Sequence, residues 1–177
     1  MNVFLAGIHG VGKTYLATRL PAELGLMHTS ASQLIREERA FATWGKDKRV
    51  AQVDENQVAL GRAVRRHNDA GIRLLLDGHF VLLDTQGAYL PLGAEVFKSL
   101  DLDGVVLLEA DPSVIICRTY ERDQIRREKR DVEAFMAEER RQAQAVCGEL
   151  DIPLTILISP GSSMFVDAMR RLMNSGI

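Results

Sequence analysis

Short apolar runs alternate with segments of helical period along this 177-residue chain. Continuous apolar runs bounded by turn signals are typical of strands that are buried on both faces of a sheet. Strands separated by helices are joined by right-handed crossovers and form a mainly parallel sheet. The alternation predicts one three-layer α/β domain over 1–177, a mainly parallel five-stranded sheet with helices on both faces. The five runs are VFLAG at 3–7, a weaker run at 26–29, IRLLLD at 72–77, VVLLEA at 105–110 and TILI at 155–158.

The segments between the runs carry the expected helices and one loop. Asp111 and Pro112 suit an N-cap and a first helical turn. Pro21 should kink or shorten the first helix, and Gly25 should end it. An ordered loop is expected over 78–92 because of its glycines and proline. The remaining predicted helices cover 13–24, 30–40, 54–70, 131–149 and 162–173.

Composition excludes several classes of protein. The chain has 22 Lys and Arg against 24 Asp and Glu, so its net charge of −2 argues against a dedicated nucleic-acid binder. A small basic cluster at 46–49 beside Trp44 is interpreted as a loop rather than a nucleic-acid contact. No apolar run approaches the roughly 20 residues of a membrane span. Cys117 and Cys147 fit neither a disulfide framework nor a paired zinc motif. We expect a soluble, cytoplasmic protein.

The segment GIHGVGKT at 7–14 fits the phosphate-binding pattern G-x-x-x-x-G-K-[ST]. It follows a predicted strand and opens a predicted helix, so we favour a nucleotide site over a glycine-rich turn with an incidental lysine. Its glycines let backbone N–H groups face phosphate oxygens, and the helix start adds its dipole. Lys13 can reach the β- and γ-phosphates, and the Thr14 hydroxyl can bind Mg²⁺. The predicted ATP-binding residues are Gly7, His9 (through its backbone), Gly10, Val11, Gly12, Lys13 and Thr14.

Asp77 ends the run IRLLLD at the carboxyl end of a predicted strand, where open α/β sheets bind ligands. Its carboxylate can hold Mg²⁺ directly or through water, and we favour this role over a turn cap. Thr14 and Asp77 are therefore the predicted Mg²⁺ ligands. His79 could orient Asp77, touch substrate or satisfy backbone groups, and no catalytic role is assigned to it.

Four further segments lie in a recognisable order over most of residues 1–150: HTSASQLIREE at 28–38, DGHFVLLDTQGAYLPLG at 77–93, VVLLEADPSVI at 105–115 and RDVE at 130–133. Together with the phosphate loop, they resemble the P-loop nucleoside monophosphate kinases, and especially the archaeal-type adenylate kinases. The chain departs from that family on the acceptor side. Ser32 and Gln33 replace the Gly and Asp of the usual acceptor motif, and Phe80 stands near the place of an arginine.

The resemblance implies the parts that such a kinase needs. It implies an NMP-binding segment at about 28–70 and a lid at about 118–131. Ser30 would begin the monophosphate site, and Arg36 would bind the acceptor phosphate. The family also implies Mg²⁺ with ATP as the phosphoryl donor, AMP as the first acceptor to test, and a homotrimer as a possible assembly.

Residues 118–130 hold six basic and three acidic residues. One interpretation is a solvated helix face with i,i+4 pairs such as Asp123–Arg127. The other is a lid whose arginines close over the transferring phosphoryl group, because an Arg fork makes bidentate contacts that Lys cannot make. The resemblance favours the lid, and Arg122 and Arg126 are the predicted catalytic residues beside Lys13. Either Arg127 or Arg130 could replace one of them.

These expectations combine into an ATP-dependent kinase that transfers the γ-phosphoryl group to AMP or a related nucleoside monophosphate. An acceptor phosphate is already ionised, so positioning and electrostatics would carry the catalysis. Two alternatives stay open. A nucleoside or small-molecule kinase would have a hydroxyl acceptor and could use Asp77 as its base. A nucleotide-dependent ATPase or switch would instead regulate a partner protein.

Overall fold

The computed structural model describes residues 2–41, 52–84, 86–124 and 126–174. Its strands are β1 (Asn2–Ala6), β2 (Leu26–Ser30), β3 (Arg73–Asp77), β4 (Val81–Leu83), β5 (Tyr89–Pro91), β6 (Leu102–Glu109) and β7 (Leu154–Ile158). Five of them pair in parallel in the order β2-β3-β1-β6-β7. The parallel five-stranded sheet predicted from the apolar runs is therefore confirmed.

Helices cover both faces of this sheet. They are α1 (Lys13–Ala17), α2 (Ala31–Phe41), α3 (Gln52–Asp69), α4 (Ala94–Lys98), α5 (Pro112–Asp123), α6 (Lys129–Leu150) and α7 (Ser162–Asn174). Alternate residues of β1 point to opposite faces: Val3 and Leu5 join one buried cluster, while Phe4 and Ala6 join the other. The first cluster includes residues of α5 and α7, and the second includes residues of α2, α3 and α4. The predicted three-layer arrangement is confirmed.

The second cluster is centred on three phenylalanine rings. Phe4 meets Phe80 and Phe97 edge to face, each with a centroid distance of 5.3 Å. Phe80 and Phe97 stack on each other at 4.3 Å. All three side chains are at most 2 % exposed. This packing fixes the segment that follows β3, because Phe80 lies three residues after Asp77.

Two segments differ from the predicted ranges. The first helix is shortened before Pro21, as that residue predicts: α1 ends at Ala17 instead of residue 24, and a 3-10 turn follows over Ala22–Leu24. Pro21 between them adopts an extended conformation because it cannot continue the helical hydrogen bonds. The 78–92 segment is not only a loop, since β4 and β5 pair as an antiparallel hairpin. Strands of three residues are too short to show a periodic signal.

The charged stretch at 118–130 contains the end of one helix and the start of the next. Helix α5 continues to Asp123 and ends where Gln124 takes a left-handed conformation with φ of 56°. Helix α6 then begins at Lys129. The basic cluster beside Trp44 and part of the 28–70 segment lie outside the described residues, and the assignments of an NMP-binding segment and a lid stay predictions. Within the described ranges, no helix combines the length and apolarity needed to cross a membrane.

Candidate active site

The phosphate loop connects β1 to α1 in a conformation that requires its glycines. Gly7, Gly10 and Gly12 have φ values of 136°, 90° and 106°, which side chains rarely adopt. A Cβ on Gly7 would lie 2.5 Å from the carbonyl oxygen of Leu108. One on Gly10 would lie 2.9 Å from Cγ2 of Thr119. The loop therefore packs directly against β6 and α5. The positive φ values and these close contacts require glycine at positions 7 and 10.

Lys13 is buried at the start of α1 and is 7 % exposed. Its Nζ donates a hydrogen bond to the Gly7 carbonyl at 2.5 Å and lies 3.6 Å from Oδ1 of Asp77. Burial lowers the pKa of Lys13, and the nearby carboxylates of Asp77 and Glu139 counteract part of that effect. Among the described residues, Lys13 Nζ pairs with the Gly7 carbonyl and the Asp77 carboxylate, and it is placed to turn toward an anionic ligand in the loop.

Asp77 reaches this position because β3 lies beside β1, with Leu5 and Asp77 in register. On its other side, Oδ2 of Asp77 lies 3.8 Å from Nε2 of His28 on β2. That histidine nitrogen is buried and makes no hydrogen bond to the described residues. The carboxylate is thus held between a buried lysine and an imidazole at the carboxyl edge of the sheet.

Glu139 of α6 is a site residue that the sequence reasoning missed. Its carboxylate is 1 % exposed and accepts N–H groups of Gly7, Phe80 and Val81. Burial raises the pKa of Glu139, while its backbone donors and Lys13 oppose that rise. A signal for this residue does exist in the sequence. Glu139 lies at helical spacing on the face of α6 that buries Val132, Phe135, Ala143 and Val146, so a charge stands on an apolar face.

Two histidine rings lie at the mouth of the phosphate loop. The centroids of His9 and His79 are 4.5 Å apart, with the planes tilted by 56°. Burial, reinforced by the charge of Lys13, lowers the pKa of His79 to about 2. Desolvation at the loop and the same lysine also lower the pKa of His9, although its residue surface is largely open to solvent. Both rings are therefore uncharged at neutral pH.

The arginines of α5 approach the loop from the opposite side. Nη1 of Arg118 donates to the carbonyls of Gly10 and Val11, at 3.2 and 3.3 Å. Arg122 forms a two-pronged pair with Asp123, at 2.6 and 2.8 Å. The guanidinium of Arg126 instead lies 5.8 Å from the Tyr120 ring centroid and is exposed. Arg118, which the prediction of catalytic residues omitted, thus makes the direct contacts with the phosphate loop.

Several of these groups line a cavity of about 580 Å³, namely Lys13, Asp77, Arg118, Arg122 and both histidines at the loop, His9 and His79. Besides the phosphate loop, β3 and α5, the cavity wall is built by α2, α3, the β4–β5 hairpin and α4. The apolar lining residues are Phe4, Ile8, Ala31, Ile35, Leu60, Leu82, Leu92, Val96, Phe97 and Leu100. The polar ones outside the loop are Ser30, Ser32, Asn56, Gln57, Asp77, His79, Arg118 and Arg122. The lining thus combines cationic side chains around the phosphate loop with an apolar wall that also carries amides and hydroxyls.

Most of the predicted site residues meet in this cavity. The ones that line it are His9, Gly10, Gly12, Lys13, Thr14, Ser30, Asp77 and Arg122. Gly7 and Val11 are buried within the phosphate loop and are not among the residues that line the cavity. Arg36 is exposed on α2, and neither it nor Arg126 is among the described lining residues. The roles assigned to these residues remain predictions.

The donor set of the cavity fits the magnesium ion that the family implies. Thr14 and Asp77 both line the cavity and offer a hydroxyl and a carboxylate oxygen. Mg²⁺ prefers oxygen ligands and is commonly held by one or two protein groups plus substrate phosphates. The buried Lys13 beside Asp77 shows that this corner tolerates a cation next to the carboxylate.

Comparison with known proteins agrees with this geometry. The family model described as AAA domain matches residues 6–136. The adenylate kinase of Paracoccus denitrificans (strain Pd 1222) is 28 % identical over 124 residues, or 67 % of this chain. The chain spans 56 % of the length of that relative.

Solved structures show the same fold at low identity. A putative kinase from Chloroflexus aurantiacus has a TM-score of 0.59 and 17 % identity, covering 99 % of this chain and 97 % of its own. A sugar kinase from Janibacter sp. HTCC2649 has a TM-score of 0.57 and 18 % identity, covering 98 % and 94 %. Since the family model spans the phosphate loop, Asp77 and the arginines of α5, the chain belongs to the AAA domain family and has a P-loop kinase fold.

Proposed function

We propose that this protein is an ATP- and Mg²⁺-dependent nucleoside monophosphate kinase, with AMP as the first acceptor to test. The observation that carries the proposal is a cavity that joins the phosphate loop to a wall from α2, α3 and the β4–β5 hairpin. A transferase needs donor and acceptor in one enclosed space, because holding them in line supplies much of the rate. The similarity to an adenylate kinase supports the same assignment.

The donor side follows from the loop residues. Backbone N–H groups of the loop would bind the phosphates, and Lys13 would leave the Gly7 carbonyl to follow the γ-phosphate. Arg122 lines the cavity and would turn from Asp123 to neutralise the charge that spreads over the equatorial oxygens. Thr14 and Asp77 would hold Mg²⁺, which would supply positive charge against the negative charge that develops during the transfer.

The acceptor side has the chemistry of a base-binding wall. Ile35, Leu92 and Val96 are half-buried and offer apolar surface for a planar ring, and Asn56 and Gln57 offer amide groups for its edge. Oε1 of Gln57 is buried and makes no hydrogen bond to the described residues. An acceptor that carries an N–H or O–H donor would satisfy that oxygen.

A second candidate is a kinase with a hydroxyl acceptor. Among the described lining residues, the cations come from the phosphate loop and α5, whereas Arg36 lies outside the cavity. Asp77 lies within the same cavity, and its carboxylate could take the proton from a sugar or nucleoside hydroxyl. This chemistry needs no cation for an acceptor phosphate.

An acceptor panel distinguishes these candidates. Purified protein is incubated with Mg·ATP and, in separate reactions, nucleoside monophosphates, nucleosides and sugars, and ADP formation is followed. Formation that requires a monophosphate supports the proposal, while formation that requires a hydroxyl compound favours the second candidate. ADP released at the same rate without any acceptor would indicate an ATPase or switch and would contradict both. In the monophosphate kinase, Arg36→Ala should raise the acceptor KM selectively, and an unchanged value would remove Arg36 from the site.

A further inference from the structure

One buried carboxylate joins two segments of the cavity that are distant in sequence. Oε1 of Glu139 accepts the Gly7 N–H at 3.3 Å and the Phe80 N–H at 3.0 Å. Oε2 accepts the Phe80 N–H at 3.0 Å and the Val81 N–H at 2.8 Å. Gly7 opens the phosphate loop, and Phe80 and Val81 end the turn that begins at Asp77. A single side chain of α6 therefore fixes both segments.

The partners of Glu139 determine its charge. All three are backbone N–H donors, and a protonated carboxyl group would place its own O–H donor against one of them. Only the carboxylate form accepts from all three amides. The positive charge of Lys13 favours the same form.

Glu139 holds the phosphate loop beside the Asp77 turn, and the proposed phosphoryl transfer needs these two segments at a fixed distance. Lys13 hydrogen-bonds the Gly7 carbonyl and lies 3.6 Å from Asp77, so the lysine spans the same two segments. The turn is otherwise tied to β1 by the Gly78 N–H, which donates to the Leu5 carbonyl at 3.1 Å. Without the carboxylate, the Gly7 N–H, the first amide of the phosphate loop, would lose the side-chain acceptor that it has among the described residues.

We propose that Glu139 is a positioning residue for phosphoryl transfer, which sets the spacing between the phosphate loop and the Asp77 turn. The inference rests on the proposed function, since it assumes that the cavity binds a nucleotide. Glu139 touches neither donor nor acceptor, and it acts through the loop and through Asp77. A displacement of about 1 Å at such a site costs on the order of 100-fold in rate.

Glu139→Gln is the sharpest perturbation. A glutamine amide has one accepting oxygen and one donating NH₂ group, so in either orientation the NH₂ faces a backbone N–H. With its oxygen at the Oε1 position the glutamine would still accept from Gly7 and Phe80, but its NH₂ would oppose the Val81 N–H; in the flipped orientation the NH₂ would oppose the Gly7 N–H. Either the turn or the loop then has to move. We expect kcat to fall on the order of 100-fold. Glu139→Asp keeps the charge but is one methylene shorter, so an intermediate loss is expected.

Glu109→Gln is the matched control. Glu109 at the end of β6 is also buried, at 6 % exposed, and its carboxylate pairs with Arg140 of α6. Among the described residues, that carboxylate makes no hydrogen bond to the loop or the turn, and Glu109 is not among the lining residues of the cavity. Glu109→Gln should therefore lower Tm while kcat and the KM for ATP stay close to those of the wild type. Kinetics are measured well below the Tm of each variant, and nucleotide binding is measured by titration calorimetry with a non-hydrolysable ATP analogue.

The outcomes separate the two proposals. A wild-type protein that binds no nucleotide overturns the proposed function, and the role of Glu139 falls with it. A wild-type enzyme that turns over, beside folded Glu139→Gln with strongly reduced kcat, supports the positioning role. If Glu139→Gln only lowers Tm, as Glu109→Gln does, and keeps wild-type kcat and KM, the residue is structural and the inference is wrong. Should Glu139→Gln fail to fold, Glu139→Asp is judged by the same kinetic criteria.

Discussion

Replacing Gly78 with alanine should destabilise the protein through one steric contact. The added Cβ would lie 2.6 Å from Cζ and 2.8 Å from Cε2 of Phe4. The Phe4 ring cannot move away, because Phe80 and Phe97 hold it edge to face at centroid distances of 5.3 Å. Gly78 does not have a positive φ, so backbone strain plays no part in the effect.

The size of the effect follows from overpacking of a close-packed core. An extra methyl group in such a core costs about 1–3 kcal/mol. For a chain of about 150–250 residues, each kcal/mol lowers Tm by about 2–4 °C. We therefore expect Gly78→Ala to lower Tm by about 2–12 °C and the free energy of unfolding by about 1–3 kcal/mol.

The same substitution elsewhere provides a control of opposite sign. Gly148 lies within α6, and a Cβ there would meet nothing within 4 Å. Because glycine disfavours a helix by about 0.5–1 kcal/mol relative to alanine, Gly148→Ala should raise stability by that amount. Urea unfolding followed by circular dichroism measures both variants. A Gly78→Ala protein as stable as the wild type would refute the packing described around Phe4.

Three further results are expected. Arg118→Met should weaken binding of a non-hydrolysable ATP analogue about tenfold or more, since it removes charge-assisted hydrogen bonds to the phosphate loop, whereas exposed Arg170→Met should not. Calorimetric titration compares the two. Because the pKa of His79 is about 2 in the folded protein, this side chain binds fewer protons in the folded state than in the unfolded state below pH 6.5. The free energy of unfolding should therefore fall as the pH is lowered. Between pH 8 and 5 the wild type should lose about 2 kcal/mol more than His79→Gln in urea unfolding. Asn2→Ala should cost about 1–3 kcal/mol in the same assay, because the fully buried Asn2 amide pairs with backbone groups; an unchanged midpoint would contradict this.

The fold was accessible from the sequence because most strands of the parallel sheet are continuous apolar runs and most helices around it have 11 residues or more. The signal failed where elements were short. Residues 81–83 and 89–91 pair as strands only because the turn between them and the packing of Phe80 bring them together. The end of α5 was also hidden, because it depends on Gln124 adopting a left-handed conformation that glutamine seldom takes.

The candidate site was predictable where its residues are adjacent in the chain. The phosphate loop is a local motif, and Asp77 is placed by a strand end. Glu139 contacts residues 59 and 132 positions away, so no local pattern connects it to the loop. Arg118, Arg122 and Arg126 are spaced four residues apart, which would place them on one face of a continuous helix. The chain leaves α5 after Asp123, which takes Arg126 away from the other two.

Transfer of labelled phosphate tests the central claim most directly. Protein is incubated with Mg·ATP labelled on the γ-phosphate, with and without AMP, and the labelled products are separated. We predict that label moves to a nucleoside diphosphate only when the acceptor is present, and that Lys13→Met abolishes the transfer. Label released as inorganic phosphate at the same rate with and without AMP, or any other acceptor tested, would contradict the assignment of this cavity to phosphoryl transfer.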